Sequence, residues 1–284
     1  MPASANTGVE EAVRAALVAL TAIPALLGAA PPGPLLAAGA NAVITKYSLN
    51  VAGVPIAYFT FNGAITGGTY TLAGRGDTAP LVKLIARFKG FTSSSGAVSG
   101  SRISPASYSL TYKEGGAIES VSLTFDGGNV GQVALAPDVP APVNAVPLAP
   151  GDTEGVIDPM SAAMFPIPEG PLTGENVCNR RLPIFDGRQR FDLELSFKRQ
   201  QTVATEVGPT RRTRMFVCKI KYIPIAGHKP NAQATRYLKA TDGIEFWLAP
   251  VAAIGMLVPY RAVLPTPVGT ALLNLDALKI TPAD

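Results

Sequence analysis

Apolar and polar residues alternate one for one over long stretches of the chain. In residues 190–198, Phe191, Leu193, Leu195 and Phe197 fall on one face, and Arg190, Asp192, Glu194, Ser196 and Lys198 fall on the other. That is the pattern of a strand with one wet face. It recurs at Tyr47-Leu49-Val51, Tyr108-Leu110-Tyr112 and Val121-Leu123-Phe125, each interleaved with Ser, Thr, Asn or Lys. One-sided strands predict antiparallel pairing, because parallel sheets are covered on both faces and their strands run continuously apolar. Between them lie Ala52-Gly53, Gly67-Gly68, Glu114-Gly115-Gly116, Asp126-Gly127-Gly128 and Asp186-Gly187. Glycine and Asn/Asp tolerate positive φ, so these dipeptides and tripeptides predict hairpin turns and a meander of long strands.

Two segments break the period. Residues 78–90 place Thr78 as an N-cap and Leu81, Leu84, Ile85 and Phe88 at i, i+3, i+4 and i+7, then end in Lys89-Gly90. This spacing predicts an amphipathic helix with a single apolar stripe. A shorter helix is expected from Asp158, with Asp158 as N-cap and Pro159 at the first helical position. The expected fold class is all-β (β-rich α+β), a long curved antiparallel sheet or open barrel wrapped around one or two short helices. Residues 137–150 form a proline-rich connector that cannot donate regular ladder bonds. We expect it to join two arcs of a single domain over residues 41–284.

Composition places the chain among globular proteins. Of 284 residues, 47% are hydrophobic and 15% charged, the reverse of the balance that keeps chains disordered. Residues 15–30 are an uncharged apolar run behind Arg14, too short and too interrupted by Pro24 to span a bilayer. Small-x-small patterns follow at Ala38-Gly39-Ala40 and Ala40-Asn41-Ala42, so residues 1–40 read as an export signal. Glu10 and Glu11 depart from a positive leading segment, which places the expected initiator nearer Val13. A periplasmic, soluble or peripheral protein follows. In that oxidising compartment Cys178 and Cys218 read as a disulfide; in the cytosol they would be two unrelated thiols.

The net charge of +4 hides a segregation. Residues 114–179 hold nine acidic residues and no Lys or Arg, whereas residues 180–221 hold eleven basic residues. Arg180, Arg181, Arg188, Arg190, Arg211, Arg212 and Arg214 are candidate contacts to anionic membrane or lipopolysaccharide. A solvated strand face paired with the acidic segment is the competing account. Nucleic acid is not an expected partner, since aromatics are not interleaved with the basic residues.

No catalytic set emerges. His228 is the single histidine, which rules out a multi-histidine metal site, and no G-x-S-x-G elbow supplies a serine. Asp192 and Glu194 share a strand face, as paired carboxylates of a glycan hydrolase would. Their neighbours Arg190 and Lys198 instead favour ion pairing on a wet surface. The glycines around Gly67-Gly68 and Gly74-Arg75-Gly76 match no phosphate-binding loop. No cofactor is expected. The remaining candidate site is the concavity of the sheet, lined by Tyr108, Leu110, Tyr112, Phe191, Leu193, Leu195, Phe197 and Trp247, with Leu81, Leu84, Ile85 and Phe88 opposite. The competing account, and the stronger at this point, is that the helix fills the interior and all of these residues are core.

Several motifs together resemble a known family. They are Asp158-Pro159-Met160-Ser161, residues 182–188 running into Phe191-Asp192-Leu193, and Cys218 leading to residues 222–228. Residues 244–250 and Val258-Pro259-Tyr260 extend the likeness over about residues 44–279. The family is domain of unknown function 3108, described for exported proteobacterial proteins. The resemblance implies an envelope protein of extended antiparallel β architecture, distantly similar to the open barrels of periplasmic lipoprotein carriers. It transfers no chemistry. The expected function is a non-enzymatic periplasmic protein that binds an apolar or lipidated ligand, such as a lipid or lipoprotein, or an envelope partner. The alternatives are an envelope glycan hydrolase using Asp192 and Glu194, and a scaffold on anionic envelope surfaces.

Overall fold

The computed structural model describes residues 41–84, 87–114, 116–205 and 212–281. The expected export signal over residues 1–40 lies outside the described residues, as do Ile85, Arg211 and the Leu84 side chain.

Period-two segments become strands. The first arc is a meander of β1 (Asn41–Val51), β2 (Val54–Thr66), β3 (Thr69–Thr78), β4 (Phe88–Ser99), β5 (Arg102–Glu114), β6 (Ala117–Asp126) and β7 (Asn129–Ala136). The second arc is β9 (Arg180–Phe185), β10 (Arg190–Ala204), β11 (Arg212–Ala226), β12 (Glu245–Val251), β13 (Met256–Thr266) and β14 (Gly269–Thr281). Tight turns supply the positive φ that hairpins with right-handed twist require: Ala52 (49°) and Gly53 (83°) join β1 to β2, and Gly127 (58°) and Gly128 (87°) join β6 to β7.

Both arcs belong to one antiparallel sheet, in the order β7-β6-β5-β4-β3-β2-β1-β14-β13-β12-β11-β10-β9. Its centre is the pairing of β1 with β14, with Ala42 opposite Thr281 and Val51 opposite Ala271. The sheet curls until its outer strands approach each other. There β5 and β6 present Tyr108, Leu110, Val121 and Leu123 to Phe185 of β9, with Val156 between them in one buried cluster. The connector, which continues from residue 150 as far as Cys178 before the second arc begins, spans the same seam by hydrogen bonds. Val156 N–H donates to Gly128 O (3.0 Å), and Ile157 N–H donates to Pro183 O (2.8 Å). The barrel therefore stays open as a hydrogen-bonded ladder but is closed by packing.

The connector then turns inward. Ser161–Ala163 form a 3-10 turn, and the short strand β8 (Phe165–Pro166) pairs with β13. The helix α1 (Gly174–Cys178) follows, capped by Thr173, whose Oγ1 accepts from Asn176 N–H (3.2 Å). A second helix, α2 (Gln233–Ala240), lies between β11 and β12.

The helix expected over residues 78–90 does not form. β3 continues to Thr78, Val82–Leu84 make one 3-10 turn, and β4 begins at Phe88. The Thr78 hydroxyl is no cap; it donates to Phe88 O (3.1 Å) and accepts from Phe88 N–H (2.7 Å). Ladder pairing of Asp77 with Lys89 outweighs a short amphipathic stripe, because such a helix is stable only when its apolar face finds cover. Leu81 is accordingly 74% exposed.

Candidate functional site

A cavity of about 860 Å³ lies within the curve of the sheet and is lined from both arcs. Its wall is built by strand alternation. Phe59 and Phe61 of β2 project into it with rings stacked at 6.4 Å. They fit because their cross-strand partners are Gly76 and Gly74. A β-carbon at either glycine would stand 2.6–2.7 Å from the facing ring. The Gly74-Arg75-Gly76 segment thus serves packing, which is why it matched no phosphate loop.

Of the residues expected to line the interior, Phe88, Tyr108, Leu110, Phe191, Leu193 and Leu195 do so. Tyr112 packs on Phe88 (5.5 Å between centroids) outside the lining. Phe197 packs against α1, where a β-carbon at Gly174 would meet its ring at 2.1 Å. Trp247 belongs to a different cluster with Met215, Val217 and Ala249, and its ring is met by the guanidinium groups of Arg199 (5.1 Å) and Arg261 (5.3 Å). Phe59, Phe61, Leu182 and Phe246 also line the cavity. The alternation in Phe59-Thr60-Phe61 was a usable signal for the first two.

A polar latch holds the connector inside the barrel. Asp158 Oδ1 accepts from Met160 N–H (2.9 Å) and Ser161 N–H (3.0 Å), tying down the entry to the 3-10 turn; the helix expected to start at Pro159 does not form, and the N-cap position of the turn is Met160. Its Oδ2 accepts from Ser161 Oγ and from Ser94 Oγ of β4 (3.1 Å), and Tyr70 of β3 lies 2.6 Å from Ser161 Oγ. Burial raises the Asp158 carboxyl above its ordinary range, and these donors oppose the rise.

Two further polar residues stand on the cavity wall. Asp186, in the turn from β9 to β10, accepts at Oδ1 from Arg188 N–H (2.8 Å) and Gln189 N–H (2.7 Å). Its burial pushes the pKa up to about 6, against those hydrogen bonds and the Arg188 charge. His228 follows β11, and burial lowers its pKa, so the imidazole is neutral at pH 7. The turn signal at Asp186-Gly187 concealed a buried polar group, and a single histidine gave no local sign of its place on the cavity lining. The connector crosses beside it: Val146 N–H donates to His228 O (2.9 Å), and Gly227 N–H donates to Val146 O (2.7 Å).

Asp192 corrects the expectation of a wet carboxylate pair. It is 2% exposed, with Oδ2 held by Arg181 and Oδ1 by Arg190, while Glu194 is exposed. Arg181 reaches across because β9 pairs with β10, placing Pro183 opposite Asp192 and Arg181 opposite Glu194. Other arginines are individually engaged. Arg180 lies over Phe165 (5.4 Å), Arg214 lies over Phe216 (5.6 Å), and Arg188 donates to Val139 O (3.3 Å). Arg212 is exposed and also makes an interaction. Among the described residues, no group of three His, Cys, Asp or Glu is arranged to hold a metal ion.

Cys178 of α1 and Cys218 of β11 form a disulfide, with Cα atoms 5.3 Å apart. Both are fully buried in a core with Phe165, Val177, Phe216, Leu248 and Leu257. The bridge fastens the end of the connector to the second arc.

The model of one family, proteins of unknown function DUF3108, matches residues 46–276. The chain belongs to this family. No curated protein matches it. A crystal structure of a β-barrel-like protein of domain of unknown function DUF1849 from Brucella abortus is similar over 87% of this chain and 99% of that one, at 9% identity and a TM-score of 0.44. Among the described residues, no helix of this DUF3108 member is long and apolar enough to cross a membrane.

Proposed function

We propose that this DUF3108 protein is an exported, non-enzymatic binder of an apolar or lipidated ligand, held in the concavity of its sheet. The observation that carries the reading is the cavity of about 860 Å³ walled by Phe59, Phe61, Leu110, Phe191, Leu193 and Phe246. Its volume lies within the roughly 300–1,000 Å³ of small-molecule sites, and its lining is the aromatic and aliphatic kind that such sites use. The buried disulfide supports an oxidising compartment, where such bonds persist. The two arginines on Asp192 tell against a carboxylate pair acting on glycan, since both oxygens are already occupied.

Native mass spectrometry of protein purified from the periplasm, with uptake of the uncharged probe 1-N-phenylnaphthylamine, tests the reading. A co-purifying ligand or saturable probe uptake is expected. A ligand-free protein that takes up no probe would overturn it.

A further inference from the structure

Three side chains lining the cavity carry a buried polar atom that makes no hydrogen bond. They are the Tyr108 hydroxyl, Oδ2 of Asp186 and Nδ1 of His228. They come from β5, the β9–β10 turn and the turn after β11, and their exposures are 2%, 2% and 8%. The turns bearing Asp186 and His228 touch: a β-carbon at Gly227 would stand 1.9 Å from Arg188 O. The Thr92 hydroxyl, which lies beside that of Tyr108, and the amides and guanidinium of the Asp186 turn are committed elsewhere. Thr92 gives its hydroxyl to Ser109 O (2.9 Å), the Arg188 and Gln189 amides are taken by Oδ1 of Asp186, and the Arg188 guanidinium donates to Val139 O. A buried polar group without a partner is costly, and native folds rarely keep one that nothing completes. The charge of Asp186 reaches the Tyr108 hydroxyl and the turns of Asp186 and His228 touch, so the three belong to one part of the lining.

We infer that Tyr108, Asp186 and His228 form the head-group end of the cavity, and that its ligand is an amphiphile whose head donates hydrogen bonds and carries no negative charge, a hydroxyl or an ammonium. The inference rests on the reading of the cavity as an apolar ligand site. Asp186 sets the sign because it is buried, whereas Arg75 and Lys229, which also line the cavity, are exposed, and the Arg188 guanidinium is turned to Val139 O. Its free oxygen is an acceptor, and a carboxylate or phosphate brought beside it would place like charges together in a poorly solvated site. The phenol of Tyr108, held neutral by burial, both donates and accepts, and the neutral imidazole of His228, hydrogen-bonded to the Ala226 backbone, leaves Nδ1 as an acceptor. A hydroxyl matches that mixture, and an ammonium matches the acceptors. Phe191 and Tyr222, 5.5 Å apart, open the apolar wall on which the chain of the amphiphile would lie.

Three amphiphiles of one chain length test this on the whole protein at pH 7.5: dodecylamine, monolauroylglycerol and laurate, each displacing 1-N-phenylnaphthylamine. The amine and the glyceride are expected to displace it at concentrations at least tenfold below laurate, and their relative strength separates ammonium from hydroxyl. Asp186→Asn should shrink the preference to within threefold. Tyr108→Phe should weaken the glyceride more than the probe, and it carries the test if Asp186→Asn does not fold. Laurate binding as tightly as the other two, or an unchanged preference in the variants, would overturn the inference alone. A wild-type protein that takes up no probe would overturn the cavity reading beneath it.

Discussion

A β-carbon placed on Gly187 would stand 2.5 Å from Cγ1 of Val121. Gly187 turns β9 into β10 with φ of 98°, and Val121 lies in β6, so this contact crosses the seam where the two ends of the sheet meet. Gly187→Ala adds a clash to a backbone conformation that L-residues avoid. It is expected to lower stability by about 2–4 kcal/mol in urea unfolding. Gly53→Ala, also at positive φ but with nothing within 4 Å, should cost about 1–2 kcal/mol. Equal losses at the two sites would show that the seam is not tightly packed.

The disulfide closes a sequence separation of 40 residues. Chain entropy gives such a bridge about 4 kcal/mol, so the Cys178→Ala, Cys218→Ala double variant should melt far below the parent. Because both cysteines are fully buried, reductant followed by thiol labelling should modify them after unfolding and not in the native state. Rapid labelling of the folded protein would contradict this placement.

Asp158 accepts from four donors, two backbone amides and the Ser94 and Ser161 hydroxyls. Asp158→Ala leaves those buried donors unmatched and should destabilise by about 3 kcal/mol or more, whereas Asp158→Asn, which keeps an acceptor, should cost about 1 kcal/mol. Hydrogen exchange should accelerate first in residues 156–164, the segment this latch holds inside the barrel.

Asp186 has a folded pKa of about 6 against an ordinary 3.8, raised chiefly by burial. The folded state therefore holds this proton more tightly than the unfolded state. Its stabilising contribution is complete below pH 3.8 and disappears as pH rises through about 6. The full swing is about 3 kcal/mol, from 1.36 kcal/mol per pKa unit. The facing groups are Arg188, Tyr108 and Tyr222, and His228 stands in the turn that packs on that of Asp186. His228, whose pKa is lowered, acts in the opposite sense as pH falls. The difference in stability between wild type and Asp186→Asn isolates the carboxyl, and it should drift against wild type by about that amount between pH 4 and pH 7. A pH-independent difference would refute it.

Asp192 and Glu194 occupy adjacent outward positions on β10 yet differ in burial. Asp192→Asn removes a buried charge from two arginines, one of them, Arg190, with a side chain 11% exposed. Stability should fall by about 2–4 kcal/mol, discounted from a fully buried pair because Arg181 is 58% exposed. Glu194→Gln should change stability by no more than about 0.5 kcal/mol, as exposed substitutions do. Thermal melts of the two single variants decide the matter.

Much of this architecture was legible in the alternation. Tyr47, Leu49 and Val51, like Val121 and Leu123, are buried on the face the sequence assigns them, and the glycine-bearing turns fall between strands. That is local information, because a strand's period and its turn residues depend on neighbours along the chain. The cysteine pair followed from compartment logic. Tertiary structure decided the rest. The pairing of β1 with β14, and the Tyr47 hydroxyl donating to Pro259 O (2.9 Å), join residues that no local window contains. Residues 78–90 carried a true helical spacing, yet pairing of the flanking strands consumed its ends. Asp192 is buried on the face expected to be wet because a neighbouring strand brings Arg181 over it. The meeting of Asp186, Tyr108 and His228 on one wall depends on how far the sheet curls, a property of summed twist and packing that no single segment encodes.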